Sequence, residues 1–195
     1  MAKSVEFLFD VGSPTAYLAY RRLPAIAART GATIDYIPVL LGGIFKATGN
    51  APPGVIAARG RWMNIDMARY AAREGISLTH NPDFPINTIT LMRLLTAARG
   101  TGDFAAMLET LFAAMWQNPR NLGDPAVLTA TLSAAGFDPA VWLARAGEPE
   151  VKAALVAATD YAIGRGAFGA PTFFVEDEFF FGQDRLDWVE AALTK

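Results

Sequence analysis

Hydrophobic positions at the start of the chain alternate as in a short β-strand and then recur with helical spacing. Residues 5–9 form a β-favouring run with phenylalanine at two alternate positions. The turn residues Asp10-Val11-Gly12 follow, and Ser13-Pro14 predicts the beginning of a helix, with serine as the N-cap and proline in the first position. Residues 33–41, rich in isoleucine, tyrosine and valine, predict a second strand.

The helix that begins after Ser13 contains one residue that disturbs helices and is followed by another that ends them. Pro24 lies inside the apolar pattern and predicts a kink or a break, because proline lacks a backbone N–H and clashes with the preceding turn. Gly31 predicts the end of this helix, since glycine readily adopts the left-handed conformation that closes a helix.

The middle of the chain has a different pattern, because almost every periodic segment between about residue 41 and residue 165 is helical and rich in alanine. Glycines between these segments predict where the helices end. The predicted helices cover residues 55–73, 88–99, 104–116, 127–135, 140–146 and 150–165.

A β pattern returns near the end of the chain. Residues 172–175 predict a strand, Asp177-Glu178 a turn, residues 179–181 the returning strand and residues 186–193 a final helix. Without its middle, the chain therefore has the order β-α-β … β-β-α, which is that of the thioredoxin fold. Parallel pairing of the first two strands requires a crossover connection, and the helix after Ser13 supplies it.

The fold class expected from this order is α/β, a thioredoxin-like fold with a large inserted all-helical domain. We expect residues 1–40 and 168–195 to form the thioredoxin-like domain and residues 41–167 to form the insertion. The length of 195 residues suits one compact domain, or a small domain that carries an insertion.

Composition excludes several classes of protein. With 52% hydrophobic and 18% charged residues, the chain is too apolar to be disordered, yet it has no apolar run of roughly 18 residues. We therefore expect no membrane partner. The net charge of −2 gives no indication of a nucleic-acid partner. The start of the chain lacks the apolar core of a secretory signal, so we expect a cytoplasmic protein. The high apolar content predicts a homodimer, because association would bury surplus apolar surface.

Residue counts also restrict the chemistry. The chain has no cysteine, which excludes disulfides, thiolate metal sites and redox chemistry by a thiol of the protein itself. It has a single histidine, His80, so a metal site built from several histidines is not expected.

Two segments lie where a thioredoxin-like fold carries its chemistry. Ser13 stands at the start of the first helix, where unpaired N–H groups and the helix dipole stabilise an anion; the alternative is that it serves only as an N-cap. Gly169-Ala170-Pro171 precedes the third strand, where thioredoxin-type proteins carry a cis-proline that faces the first helix. We expect a cis Ala170–Pro171 bond, the alternative being an ordinary trans-proline. Asp184 either caps the last helix or binds an ammonium group.

Short motifs form an ordered set over nearly the full length. They are FDVGSP at 9–14 with YLA at 17–19, TGN at 48–50 followed by Pro52-Pro53, Trp62-Met63 with Asp66, Asn87-Thr88, FGAPT at 168–172 and FGQDRL at 181–186. This set resembles the glutathione-binding branch of the DsbA-like thioredoxin superfamily, which holds kappa-class glutathione transferases and 2-hydroxychromene-2-carboxylate isomerases.

The resemblance implies that glutathione is the cofactor and Ser13 the catalytic residue, which hydrogen-bonds the glutathione sulfur. It also implies that the backbone of Ala170 pairs with the cysteinyl unit, and that Asp184 takes the γ-glutamyl ammonium. The full cofactor-binding set that it implies is Ser13, Asn50, Ala170, Pro171, Gly182, Gln183 and Asp184.

The implied function is glutathione-dependent isomerisation of 2-hydroxychromene-2-carboxylate, or a homologue, to trans-o-hydroxybenzylidenepyruvate by reversible thiolate addition and elimination. The alternatives are a kappa-type transferase that keeps the adduct and a non-catalytic DsbA-like binding module. The substrate is expected to be a small aromatic carboxylate, with Trp62 for stacking and Asn87 for hydrogen bonding. Lys46, Arg59 or Arg61 would meet its carboxylate, although such basic residues more often lie on a solvated surface.

Overall fold

The computed structural model describes residues 3–195, and in this range the strands form one mixed sheet. Strand β1 is Ser4–Phe9, β2 is Thr33–Pro38, β3 is Thr172–Val175 and β4 is Glu178–Phe181. The order across the sheet is β2-β1-β3-β4, with β1 and β2 parallel and the other two pairs antiparallel. The thioredoxin-like order predicted from the sequence is therefore confirmed.

The α-helices connect and cover this sheet. They are α1 (Pro14–Thr30), α2 (Leu41–Thr48), α3 (Ala57–Glu74), α4 (Ile89–Ala98), α5 (Phe104–Trp116), α6 (Pro125–Ala134), α7 (Pro139–Ala146), α8 (Pro149–Gly164) and α9 (Leu186–Leu193). Short 3₁₀ turns at Pro53–Val55 and Gln183–Arg185 precede α3 and α9.

Helix α1 runs unbroken through Pro24, so the break considered from the sequence does not occur. Ser13 caps its beginning, and Gly31 closes it in the left-handed conformation with φ 68°. Leu23 and Ile26, on either side of Pro24, are both buried. Packing of this face and capping at both ends outweigh the cost of a proline in a helix, about 3 kcal/mol.

Several predicted boundaries differ from the structure by one to three residues. The second strand ends at Pro38 instead of residue 41, because Leu41 already begins α2 and gives its backbone N–H to a side chain at the end of β1. The turn of the last hairpin lies at 176–177, one residue earlier than predicted, and Glu176 adopts φ 53° there. As a result Glu178 pairs with Val175 in the sheet.

Helices cover both faces of the sheet. On one face Phe7 and Phe9 pack with Phe112 of α5 in a large buried cluster that also takes in α1, α4 and α9. On the other face Leu8 packs with Ile44 of α2 and with residues of α8. The helical segment thus shares its core with the sheet, while the boundaries expected for the inserted domain stay a prediction.

Helix α3 packs on the rest of the chain mainly through its second half. Met67 and Ala71 are buried against Leu18 of α1, whereas Trp62 and Ile65 are exposed. Nowhere in residues 3–195 does a helix combine the length and the apolar character needed to cross a lipid bilayer.

Candidate active site

The hydroxyl of Ser13 joins the start of α1 to the loop before β3. Ser13 is only 4% exposed. Its Oγ accepts a hydrogen bond from Ala16 N at 3.1 Å and donates one to the carbonyl oxygen of Ala170 at 3.0 Å. Ser13 is therefore a helix N-cap and, at the same time, a polar group held against the proline loop.

The proline loop has the geometry expected from the sequence, since the Ala170–Pro171 peptide bond is cis. The Pro171 carbonyl accepts from Gly182 N at 3.0 Å, and the Thr172 hydroxyl donates to Gly169 O at 2.8 Å. The backbone N–H of Ala170, beside Ser13, has no hydrogen-bond acceptor among residues 3–195. The residue whose carbonyl oxygen binds Ser13 thus keeps its own backbone N–H free.

A second hydroxyl, which the sequence reasoning did not single out, lies in the same place. Thr15 Oγ1 is 3.0 Å from Ser13 Oγ and 3.5 Å from Ala170 O. The backbone N–H of Thr15 has no acceptor among the described residues, as expected in the first turn of a helix. The only feature of the sequence that could have indicated this role of Thr15 is its position two residues after the helix cap.

Gln183 is held in one orientation by Arg22 of α1. Arg22 Nη1 donates to the backbone oxygen of Gln183 at 2.8 Å and to its side-chain Oε1 at 2.9 Å. Because a guanidinium can only donate, the amide oxygen must face Arg22 and the amide nitrogen must face away. That nitrogen has no acceptor within residues 3–195 and reaches the surface, although Gln183 as a residue is 4% exposed.

Asp184 is exposed and pairs with the neighbouring Arg185 at 2.6 Å. It makes no capping hydrogen bond to α9, so the interpretation as a helix cap is wrong. Gly182 adopts φ 98°, and a Cβ on it would lie 2.5 Å from the Asp184 carboxylate. Only glycine fits there, and its turn places Gln183 and Asp184 beside the end of β4.

Asn50 supports the proline loop from the other side. Its Nδ2 donates to Phe168 O at 2.8 Å, and its Oδ1 accepts from Ala51 N at 2.8 Å. Phe168 is partly exposed and lies 4.4 Å from the ring of Phe181. A Cβ on Gly169 would come within 2.8 Å of that ring, so glycine is what allows the Phe181 ring to lie against the loop.

A buried carboxylate fixes the loop that carries Ser13. Asp10 is 2% exposed and accepts from Gly12 N at 2.9 Å, from Leu41 N at 3.0 Å and from the Thr88 hydroxyl at 3.1 Å. Burial raises the pKa of the Asp10 carboxyl, and these hydrogen bonds offset part of that rise. The sequence reasoning saw Asp10 only as a turn residue.

The helical segment also reaches this loop through buried Trp116, whose Nε1 donates to Val11 O at 2.7 Å. His80 and Phe84 lie beside the Trp116 ring, with ring centroids 6.5 and 5.6 Å from it. Within residues 3–195, no group of three or more histidine, aspartate or glutamate side chains is arranged to hold a metal ion.

Comparison with known proteins identifies the family of this chain. The family described as the DSBA-like thioredoxin domain matches residues 4–194. The chain belongs to this DsbA-like family. It is 31% identical to the 2-hydroxychromene-2-carboxylate isomerase of Sphingobium xenophagum, with 99% of each chain covered. It is 29% identical to glutathione S-transferase kappa 1 of Caenorhabditis elegans, over 98% of this chain and 91% of that one.

A solved structure of a 2-hydroxychromene-2-carboxylate isomerase is also similar to this DsbA-like chain. The two superpose with a TM-score of 0.87 at 26% sequence identity, covering 97% of this chain and 94% of the other. The thioredoxin-like fold and the resemblance recognised from the motifs are therefore confirmed.

Four of the predicted substrate residues lie on helices α2 and α3. Trp62 is 57% exposed on α3, and Arg59 and Arg61 lie on the same helix, while Lys46 is in the last turn of α2. Within residues 3–195, no hydrogen bond or ion pair connects any of these side chains to Ser13.

Asn87, the remaining substrate candidate, lines a cavity of about 360 Å³ in the helical segment. Leu122, Leu128 and Leu143 form part of its apolar wall. The Asn87 side chain accepts from Ile89 N at 3.0 Å, and the next residue, Thr88, bonds Asp10. The cavity is therefore joined to the serine loop through the backbone that precedes α4.

Replacing Asp10 by asparagine should destabilise the protein. An asparagine has a single oxygen acceptor, so its amide nitrogen must face either Leu41 N or Gly12 N, and that N–H loses its partner. We expect a loss of about 1–3 kcal/mol in the free energy of unfolding, measured by urea denaturation. Thr88→Ser is the control, because it keeps the hydroxyl that donates to Asp10 and should therefore lose less stability than Asp10→Asn. Unchanged stability of Asp10→Asn would show that the carboxylate does not hold these segments together.

Proposed function

We propose that this protein binds glutathione at Ser13 and isomerises 2-hydroxychromene-2-carboxylate, or a close homologue, to trans-o-hydroxybenzylidenepyruvate. The observation that carries the proposal is the buried Ser13 hydroxyl, held between the start of α1 and the cis-proline loop in a chain without cysteine. The similarity to a named isomerase over 99% of both chains supports this reaction ahead of others.

The polar groups around Ser13 fit a bound glutathione. The free N–H of Ala170 can pair with the peptide backbone of the tripeptide, and the free amide nitrogen of Gln183 can donate to its γ-glutamyl carboxylate. Asp184 is exposed and can take the ammonium in exchange for Arg185. Asn50 uses one of its two amide N–H groups on Phe168 O, so the second can donate to the peptide of the cofactor.

When bound, glutathione supplies a thiolate that adds reversibly to a conjugated carbon and so allows the former double bond to rotate. The residues of the chain keep the sulfur ionised. Lowering a thiol pKa from about 8.5 by about 2 units requires about 2.7 kcal/mol. A hydrogen bond to an ionised acceptor contributes roughly 1.5–3 kcal/mol. The helix dipole adds roughly 0.3–1 kcal/mol, so Ser13 and the start of α1 suffice without a cation.

The substrate wall is proposed to come from the helical segment. Trp62 would stack on the aromatic ring, Asn87 would bond a phenol or keto oxygen, and Lys46 or Arg59 would meet the carboxylate. The exposed ring of Phe168 offers further apolar surface beside the proline loop. The cytoplasmic location expected from the sequence stays a prediction.

A kappa-type glutathione transferase is the second candidate, and the 29% identity to a kappa transferase over 98% of the chain favours it. The two reactions use the same serine and the same cofactor, and they differ in whether the adduct is kept. The experiment incubates the protein with 2-hydroxychromene-2-carboxylate, with and without glutathione, and follows the product. Glutathione-dependent formation of the trans isomer supports the proposal, a stable conjugate supports the transferase, and turnover without glutathione overturns both.

Ser13→Ala should keep the fold and still bind glutathione, but it should raise the pKa of the bound thiol. The loss is one hydrogen bond to an ionised acceptor, roughly 1.5–3 kcal/mol, or about 10- to 150-fold in rate. Ultraviolet titration of the bound thiolate measures the pKa, and Ser133→Ala, at an exposed serine of α6, is the control. An unchanged titration in Ser13→Ala would leave Ser13 as an N-cap only.

Gln183→Glu should weaken glutathione binding while the protein stays folded. A glutamate keeps an oxygen facing Arg22 but has no N–H to donate, and its charge repels the γ-glutamyl carboxylate. We expect the dissociation constant to rise roughly 10- to 150-fold, which corresponds to the loss of one charge-assisted hydrogen bond. Calorimetric titration with glutathione measures this, with Gln117→Glu at the end of α5 as control. Equal affinity in both variants would place the γ-glutamyl end elsewhere.

We also propose that the protein is a homodimer, as the apolar composition predicts. The first half of α3 and the turn before it expose Val55, Ile56 and Ile65, an apolar surface that association would bury. Sedimentation at micromolar concentration should give twice the chain mass of 20.9 kDa. The charged variant Ile65→Glu should shift the protein toward monomer, and a wild-type species of one chain mass would contradict the proposal.

A further inference from the structure

The hydrogen-bonding capacity of the Ser13 hydroxyl is fully used by the protein itself. A hydroxyl can donate one hydrogen bond and accept two. Ser13 Oγ donates to Ala170 O and accepts from Ala16 N, and its third neighbour is Thr15 Oγ1 at 3.0 Å. When the Ser13 proton is given to Ala170 O, along the shorter of the two hydroxyl contacts to that carbonyl, the proton between the two hydroxyls comes from Thr15. In this arrangement Ser13 has no proton to offer to a sulfur.

Thr15 has a second acceptor within reach. Its Oγ1 is 3.5 Å from the same Ala170 carbonyl oxygen that takes the Ser13 proton. A carbonyl oxygen has two lone pairs, so it can accept from Thr15 and from the backbone of a bound peptide together. A small rotation of the Thr15 side chain would therefore move its proton from Ser13 to Ala170.

We propose that Thr15 is a positioning residue whose hydroxyl moves from Ser13 Oγ to Ala170 O when glutathione binds, and thereby frees the Ser13 proton for the sulfur. The inference rests on the proposed function, because it concerns the same serine and the same thiol. No proton is transferred. Before binding, the Ser13 hydroxyl donates to Ala170 O and the Thr15 hydroxyl donates to Ser13 Oγ. After binding, the Thr15 hydroxyl donates to Ala170 O and the Ser13 hydroxyl donates to the sulfur.

The test compares the pKa of bound glutathione thiol in the wild type, Thr15→Val and Thr15→Ser, by ultraviolet titration of the thiolate. Valine keeps the branched shape of threonine without the hydroxyl, and serine keeps the hydroxyl. We expect the ionisation constant of the bound thiol to fall about five- to tenfold in Thr15→Val, a rise in its pKa of about 0.7–1 unit, which is the size of one neutral hydrogen bond. Thr15→Ser should restore the wild-type value, which a purely structural role of the methyl group would not produce.

The same titration in a Ser13→Ala background separates a positioning role from a direct one. If Thr15 acts through Ser13, Thr15→Val has no further effect once the serine hydroxyl is gone. A further loss in the double variant would show that Thr15 bonds the sulfur directly, and this would overturn the positioning role.

The outcomes distinguish this inference from the proposed function. A wild type that binds glutathione with a lowered thiol pKa, together with an unchanged Thr15→Val variant, overturns the role of Thr15 alone. A wild type that does not bind glutathione overturns both. Circular dichroism spectra show whether each variant is folded. If Thr15→Val does not fold, the thiol pKa of the wild type is compared with that of Thr15→Ser.

Discussion

The carboxylate of Asp10 accepts hydrogen bonds from its own loop and from two segments distant in the sequence. These two segments are the start of α2 and the residue before α4. Its backbone oxygen also accepts from Ser13 N at 2.9 Å. A buried carboxylate without donors is costly, so these donors have to stay in place. The position of the serine hydroxyl relative to the sheet and to the helical segment therefore depends on how Asp10 is held.

The parts of the fold that follow from local pattern were predictable. Alternating phenylalanines, an S-P helix start and the return of strand residues at 172 are local signals, and their order along the chain indicated the topology. The unbroken α1 at Pro24, the early end of β2 and the role of Asp10 were not predictable, since each depends on packing or on a donor from a distant segment. The orientation of Gln183 likewise depends on Arg22, which no motif marks.

In the proposed function, Ser13 does not decide between isomerase and transferase activity, because both reactions need the same ionised sulfur. That choice is made by groups that hold the electrophile and decide whether the adduct can collapse back. In the proposed function these groups come from the helical segment, which shares its buried core with the sheet and contacts the serine loop through Thr88 and Trp116. A change of substrate can thus arise in this segment while the cofactor chemistry is retained.

The central pair of strands in the sheet joins the two ends of the chain, since Leu8 of β1 lies opposite Thr172 of β3. A growing chain on the ribosome can pair β1 with β2 early, but β1 keeps one open edge until the last part of the chain has been made. Contacts between such distant segments slow folding. Until β3 has been made, one edge of the aromatic-rich strand β1 therefore has no partner, and such an unpaired edge is prone to aggregation.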